Sequence, residues 1–223
     1  MVYFIIIIIL SYLIGSLNNA YIIAYFKGID LRRQGSGNLG TMNITRTLGK
    51  KWGWATLGLD VLKSIIPCMI GWWILGGEIG VDASLKNGFL GFDSADKIGI
   101  FVAGISVVIG HIFPIYFKFK GGKGAASTIG VMLVANPLVT LLSFSIGLLF
   151  IHITNVGSIT SFIVLGFPMI VESFIQRLYY NYTIIPILIF CLFMITFIAH
   201  NKNIVKLFLY AEKPVVIKKK STN

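Results

Sequence analysis

The chain has 223 residues, of which 56% are hydrophobic and only 12% charged, and its formal net charge is +11. A soluble domain carries about twice that share of charged residues, so the composition excludes an ordinary soluble fold and predicts an all-α polytopic membrane protein. Cys68 and Cys191 lie inside apolar runs, where cysteine acts as a small hydrophobe, and the three histidines have no ligand spacing. No disulfide, metal or cofactor is therefore expected.

The opening MVYFIIIIILSYLIGSL has no basic residue ahead of its apolar core and no small-residue cleavage site after it, which predicts a retained helix and not a cleaved leader. Against the roughly 20 residues that a bilayer core requires, apolar segments fall near 2–26, 53–75, 98–117, 124–152, 157–175 and 184–200. The charges between them set the topology. Lys27, Arg32, Arg33, Arg46, Lys50 and Lys51 lie in one loop, and Lys118, Lys120 and Lys123 in a second. Lys202, Lys206, Lys213, Lys218, Lys219 and Lys220 lie in the tail. These are fifteen of nineteen basic residues, and the positive-inside rule puts all three segments in the cytoplasm. The 76–97 loop, with Glu78, Asp82, Asp93 and Asp96 against Lys86 and Lys97, goes outside.

With the N-terminus outside, six crossings would strand the basic tail on the outer face. The 124–152 run is too long for one span and contains Asn136-Pro137, a helix-breaking pair. Division there gives seven transmembrane helices, N-terminus outside and C-terminus cytoplasmic, and brings the 153–157 turn to the cytoplasmic face. The first of the two new helices, at about twelve residues, spans only about 18 Å. The whole chain, 1–223, is read as one domain. Its cytoplasmic motif loops are 27–51, 118–127 and 200–212, and 213–223 is a basic tail.

Arg32 to Lys51 reads RRQGSGNLGTMNITRTLGKK, in which cations enclose glycines whose backbone N–H groups can converge on an anion. Gly35, Gly37 and Gly40 also spell G-x-G-x-x-G, with Asp60 twenty residues on, but a dinucleotide fingerprint requires a preceding strand, and here a membrane helix precedes it. Gly110 to Ser127, GHIFPIYFKFKGGKGAAS, again joins glycines to lysines. In AHNKNIVKLFLYAE, Ala199 to Glu212, His200 and Asn203 stand one helical turn apart. Three such segments on one membrane face point to one anion site.

Together these motifs resemble those of the bacterial acylphosphate:glycerol-3-phosphate acyltransferase family (PlsY), and the likeness extends over most of the chain, including the D-x-x-K pair Asp60 and Lys63. The resemblance implies a seven-helix enzyme of the bacterial cytoplasmic membrane with its active site on the cytoplasmic face. It would transfer a fatty acyl group from acyl phosphate to the sn-1 hydroxyl of glycerol 3-phosphate, the first step of phospholipid synthesis. The products would be lysophosphatidic acid and phosphate. Carried over residue by residue, the phosphate-binding positions are Ser36, Gly37, Asn38, Asn43, Arg46, Gly121, Gly122, Lys123 and Ser158. The catalytic positions are His200, Asn203, Lys123 and Arg46. Fatty acyl phosphate, glycerol 3-phosphate and the bilayer are the implied partners, with no nucleic acid, and a monomer is expected.

No Ser-His-Asp or Cys-His constellation is present, which suits an already activated mixed anhydride: positioning and oxyanion stabilisation carry the reaction, and the hydroxyl proton goes to His200 or to a substrate phosphate oxygen. His111 is expected to orient the second loop, and His152 to be interfacial. Asp60 and Lys63, at i and i+3, are expected to pair within a helix. Glu172 and Arg177 read as boundary residues of the sixth helix. Met42, Lys206 and Tyr210 stand where the family pattern has other residues, which leaves a divergent member with altered substrate as one alternative. A transporter or flippase of a phosphorylated solute or lipid is the other, although the chain shows no internal repeat and its polar motifs gather at one face.

Overall fold

The structure, a computed structural model, describes residues 1–75 and 97–209. The acidic segment expected to face outward, apart from Lys97, lies outside the described residues, as do Tyr210 and residues 211–223. Among the described residues ten α-helices form and no strand. In chain order they are α1 (Val2–Gly15), α2 (Asn19–Phe26), α3 (Thr41–Leu48), α4 (Lys50–Leu75) and α5 (Lys97–Ile112), then α6 (Ala125–Ala135), α7 (Pro137–Thr154), α8 (Gly157–Phe174), α9 (Ile184–Ala199) and α10 (Asn201–Phe208).

By length and apolarity, five stretches among the described residues can cross a membrane: α1 with α2, α4, α5, α7 and α8. The pair α9–α10, bent by 60°, adds a sixth. α6 is apolar but only 11 residues long, about 16 Å against a hydrocarbon core of about 30 Å. The expected division at Asn136-Pro137 is present. Asn136 caps α7 by accepting from the Val139 N–H at 3.3 Å, and Pro137 occupies the first turn, where its missing N–H costs nothing. The 27–51 and 200–212 segments are not simple loops: they contain α3 and α10, both amphipathic by sequence, which hold their motif residues on helical turns.

α5 is the central post, with twelve of its sixteen residues buried. Small residues let its neighbours approach. A Cβ at Gly71 of α4 would come within 2.5 Å of the Gly99 carbonyl oxygen of α5, a backbone contact of the kind that holds helices together in lipid. α6 is also enclosed, packing on α4, α5, α7 and α8. The first helix is broken at Leu17-Asn18. The Asn18 Oδ1 accepts from the Tyr21 N–H at 2.9 Å and starts α2, which leaves the Leu17 carbonyl open to another partner.

Glu172 is no boundary residue. It is wholly buried, accepting from Lys97 Nζ at 2.6 Å, Gln176 Nε2 at 2.8 Å and Asn136 Nδ2 at 2.9 Å. A carboxylate in an apolar interior is tolerated only when so compensated, and here it ties α5, the α6–α7 break and α8 together. Lys97, counted by sequence with the outer loop, belongs to this buried group. Arg177 does lie at the surface, donating to Asn181 at 2.7 Å.

Candidate active site

The three motifs meet around one cavity of about 700 Å³. Ser36, Asn38, Asn43 and Arg46 of the first motif line it, with Lys123 of the second and His200 and Asn203 of the third. Helices α4, α6, α7 and α8 supply most of the remaining wall.

The first motif is pinned by a small core of Ala20, Ala24, Leu31, Leu39 and Ile44, which seats it against α2. Its flanking cations are used locally. Lys27 lies 4.6 Å from the centre of the Trp52 ring, and Arg32 stacks over Tyr21 while donating to the Phe117 carbonyl of the second loop. Asn43, expected to bind phosphate, is fully buried and committed to the loop itself. Its Oδ1 accepts from the Ser36 N–H at 2.9 Å, and its Nδ2 donates to the carbonyls of Leu31 and Gln34 at 3.2 and 3.0 Å. It therefore shapes the cradle that presents Ser36 and Arg46.

The glycines act similarly. The Gly37 N–H donates to Gln34 O, the Gly121 N–H to Ile112 O and the Gly122 N–H to His111 O. These amides, expected to point at an anion, are spent on the backbone. Gly37 and Gly121 line a separate small recess with Arg32 and Lys120, which Asn38 shares with the main cavity. Gly122 is required sterically: a Cβ there would lie 2.0 Å from His111 Nε2.

Across the cavity runs a relay of side chains. Lys123 Nζ donates to Asn203 Oδ1, and Asn203 Nδ2 donates to Ser158 Oγ at 2.7 Å. Ser158 is buried and reaches the cavity through Asn203. His200 stands beyond the last residue of α9, buried, with Nδ1 2.7 Å from the Thr196 carbonyl oxygen. A carbonyl only accepts, so Nδ1 carries the proton and Nε2 the lone pair.

Behind the second loop lies a buried ionic cluster. Asp60 and Lys63 form the expected pair at 3.0 Å, and Asp60 also accepts from Asn19 Nδ2 at 2.9 Å. Lys63 further donates to the open Leu17 carbonyl at 2.6 Å and to His111 Nδ1 at 3.0 Å. His111 thus positions the second loop from below, by contact with Gly122 and through its own carbonyl. Sequence reasoning missed Asn18 and Asn19. The signal was there: two adjacent asparagines inside an apolar run mark a break that needs a reason. His152 and Lys206 sit on the cavity wall, as does Met42, next to the hydroxyl-bearing Thr41 and Thr45.

Asp60 and His111 of the ionic cluster also reach the cavity, and α8 adds Thr160 and Ser161, but most of the remaining wall is apolar: Trp54 and Leu57 from α4, Ile129 from α6, Phe144, Leu148 and Ile151 from α7, and Val164 and Leu165 from α8. A cleft cationic and amide-rich at one end and apolar at the other, set in a bundle of membrane-length helices, defines a polytopic membrane protein whose site suits an amphiphile with an anionic head.

The chain belongs to the glycerol-3-phosphate acyltransferase family, whose model matches residues 5–209. A glycerol-3-phosphate acyltransferase of Thermoanaerobacter sp. (strain X514) is 35% identical over 203 residues, 89% of each chain. That of Aquifex aeolicus is 37% identical over 172 residues, 73% of this chain and 80% of the relative. Two crystal structures of PlsY (YgiH), an integral membrane glycerol 3-phosphate acyltransferase, superpose over 95% of both chains at 29% identity. The glycerol 3-phosphate form has a TM-score of 0.77 and the lysophosphatidic acid form 0.74.

Proposed function

We propose that this enzyme transfers a fatty acyl group from acyl phosphate to the sn-1 hydroxyl of glycerol 3-phosphate at the cytoplasmic face of a bacterial cytoplasmic membrane. The observation that carries the reading is the two-ended cavity, in which all three motifs supply the polar end and apolar helix faces the other. The donor's tail lies among α4, α7 and α8, and both phosphates lie where Ser36, Asn38, Arg46, Lys123 and Asn203 converge. Arg46 offers a planar fork to phosphate oxygens and Lys123 a point charge.

In the reaction, the glycerol hydroxyl oxygen bonds to the acyl carbonyl carbon, the bond from that carbon to the phosphate oxygen breaks, and inorganic phosphate leaves. The hydroxyl proton passes to His200 Nε2, whose lone pair the Thr196 contact leaves available, or to a phosphate oxygen. No covalent enzyme intermediate is required, since the anhydride is already activated and alignment supplies most of the acceleration. Seven crossings, with α6 as a short fourth, account for the basic segments on one side, and the protein works as a monomer.

The test is purified protein in detergent, offered long-chain acyl phosphate and glycerol 3-phosphate, with lysophosphatidate followed by mass spectrometry. Product from acyl phosphate and little from acyl-CoA is expected. No product where a standard family member is active would sink the assignment.

A further inference from the structure

The apolar arm of the cavity comes to an end along α7. From Asn155, which caps α7 at the polar mouth, the arm's wall runs along α7 to Phe144, the last α7 residue to line it, a rise of about 16 Å at 1.5 Å per residue. Directly past that point α7 is fastened to α8. Ser143, fully buried, donates through Oγ to the Ile163 carbonyl at 2.9 Å. Phe144 packs there against a buried cluster of Ile129, Val164 and Leu165, drawn from α6 and α8. One leaflet of a hydrocarbon core is about 15 Å deep, so the arm is about as long as one membrane-lipid tail.

Resting on the acyl-transfer reading, we propose that Phe144, backed by Ile129, Val164 and Leu165, is the stop that sets acyl chain length. A tail that reaches Phe144 fills the arm and aligns its carbonyl with the polar end. A longer one has to bend or withdraw its head group, and a shorter one leaves apolar wall uncovered. Discrimination by an apolar pocket is worth about tenfold or more per misfit methylene group, which is enough to produce a defined optimum.

The experiment measures kcat/KM of the full chain in detergent for dodecanoyl, hexadecanoyl and octadecanoyl phosphate. Phe144→Ala is expected to move the long-to-short ratio about tenfold toward the longest donor. Ser161→Phe, which places a ring on the arm's wall one turn past Ser158, is expected to move it toward the shortest. Elution as a single species and an unshifted thermal transition identify folded protein; if Phe144→Ala fails to fold, Phe144→Leu takes its place. Wild-type ratios in the folded variants at both positions overturn the stop while leaving the acyl-transfer reading intact. Absence of lysophosphatidate from the wild type with every donor overturns that reading, and the stop with it.

Discussion

Lys123 and Asn203 are 80 residues apart in sequence, yet the lysine ammonium donates directly to the asparagine side-chain carbonyl, which passes the contact on to Ser158. This joins the second motif to the third and fixes the position of a flexible cation. The relay has a defined polarity, since Asn203 accepts from the lysine with one atom and donates to the serine with the other.

That polarity makes Asn203→Asp informative. Aspartate keeps both contacts, with Ser158 turned into the donor, but places a negative charge against Lys123 in the proposed phosphate site. KM for glycerol 3-phosphate is expected to rise about tenfold, the equivalent of about 1.4 kcal/mol, and by more than in Asn203→Ala. Steady-state kinetics at fixed donor concentration check it; equal effects of the two variants would show that charge is not the issue.

Lys63→Met leaves the Asp60 carboxylate buried with Asn19 but without its cation. Removing one member of a buried pair costs about 3–5 kcal/mol. A large fall in the thermal unfolding temperature in detergent is expected, with partial recovery when Asp60→Asn is added. Equal stabilities of the single and double variants would contradict this account of the cluster.

Gly122→Ala tests the seat of the second loop. The added methyl would meet His111 Nε2 at 2.0 Å, so the loop carrying Lys123 has to move. A displacement on the order of 1 Å costs about a hundredfold in rate. Activity should therefore collapse in protein that still elutes as one folded species; wild-type turnover would show that the loop tolerates the shift.

Much of this was written locally in the chain. A bilayer demands about 20 apolar residues per crossing, and Asn136-Pro137 breaks a helix wherever it falls, so the helical segments and the division between α6 and α7 follow from sequence. The motif residues at the polar end could be listed for the same reason: glycines beside cations, and a histidine one turn from an asparagine, are short-range patterns. Their individual duties could not. Asn43 and the amides of Gly37, Gly121 and Gly122 carry the expected chemistry, but whether a donor faces a ligand or its own loop depends on backbone path, which composition does not encode.

What the sequence determined by itself is therefore the membrane class, the helical segments and the residue types at the site. Only the tertiary structure decided which polar groups meet: Lys123 with Asn203, Lys63 with the Leu17 carbonyl freed by the α1–α2 break, and Glu172 with Lys97 and Asn136. The physical reason is that a polar group in an apolar bundle needs a partner, and the partner is chosen by which helix faces come together. Hydropathy records that a residue is buried in the membrane. It does not record what lies opposite.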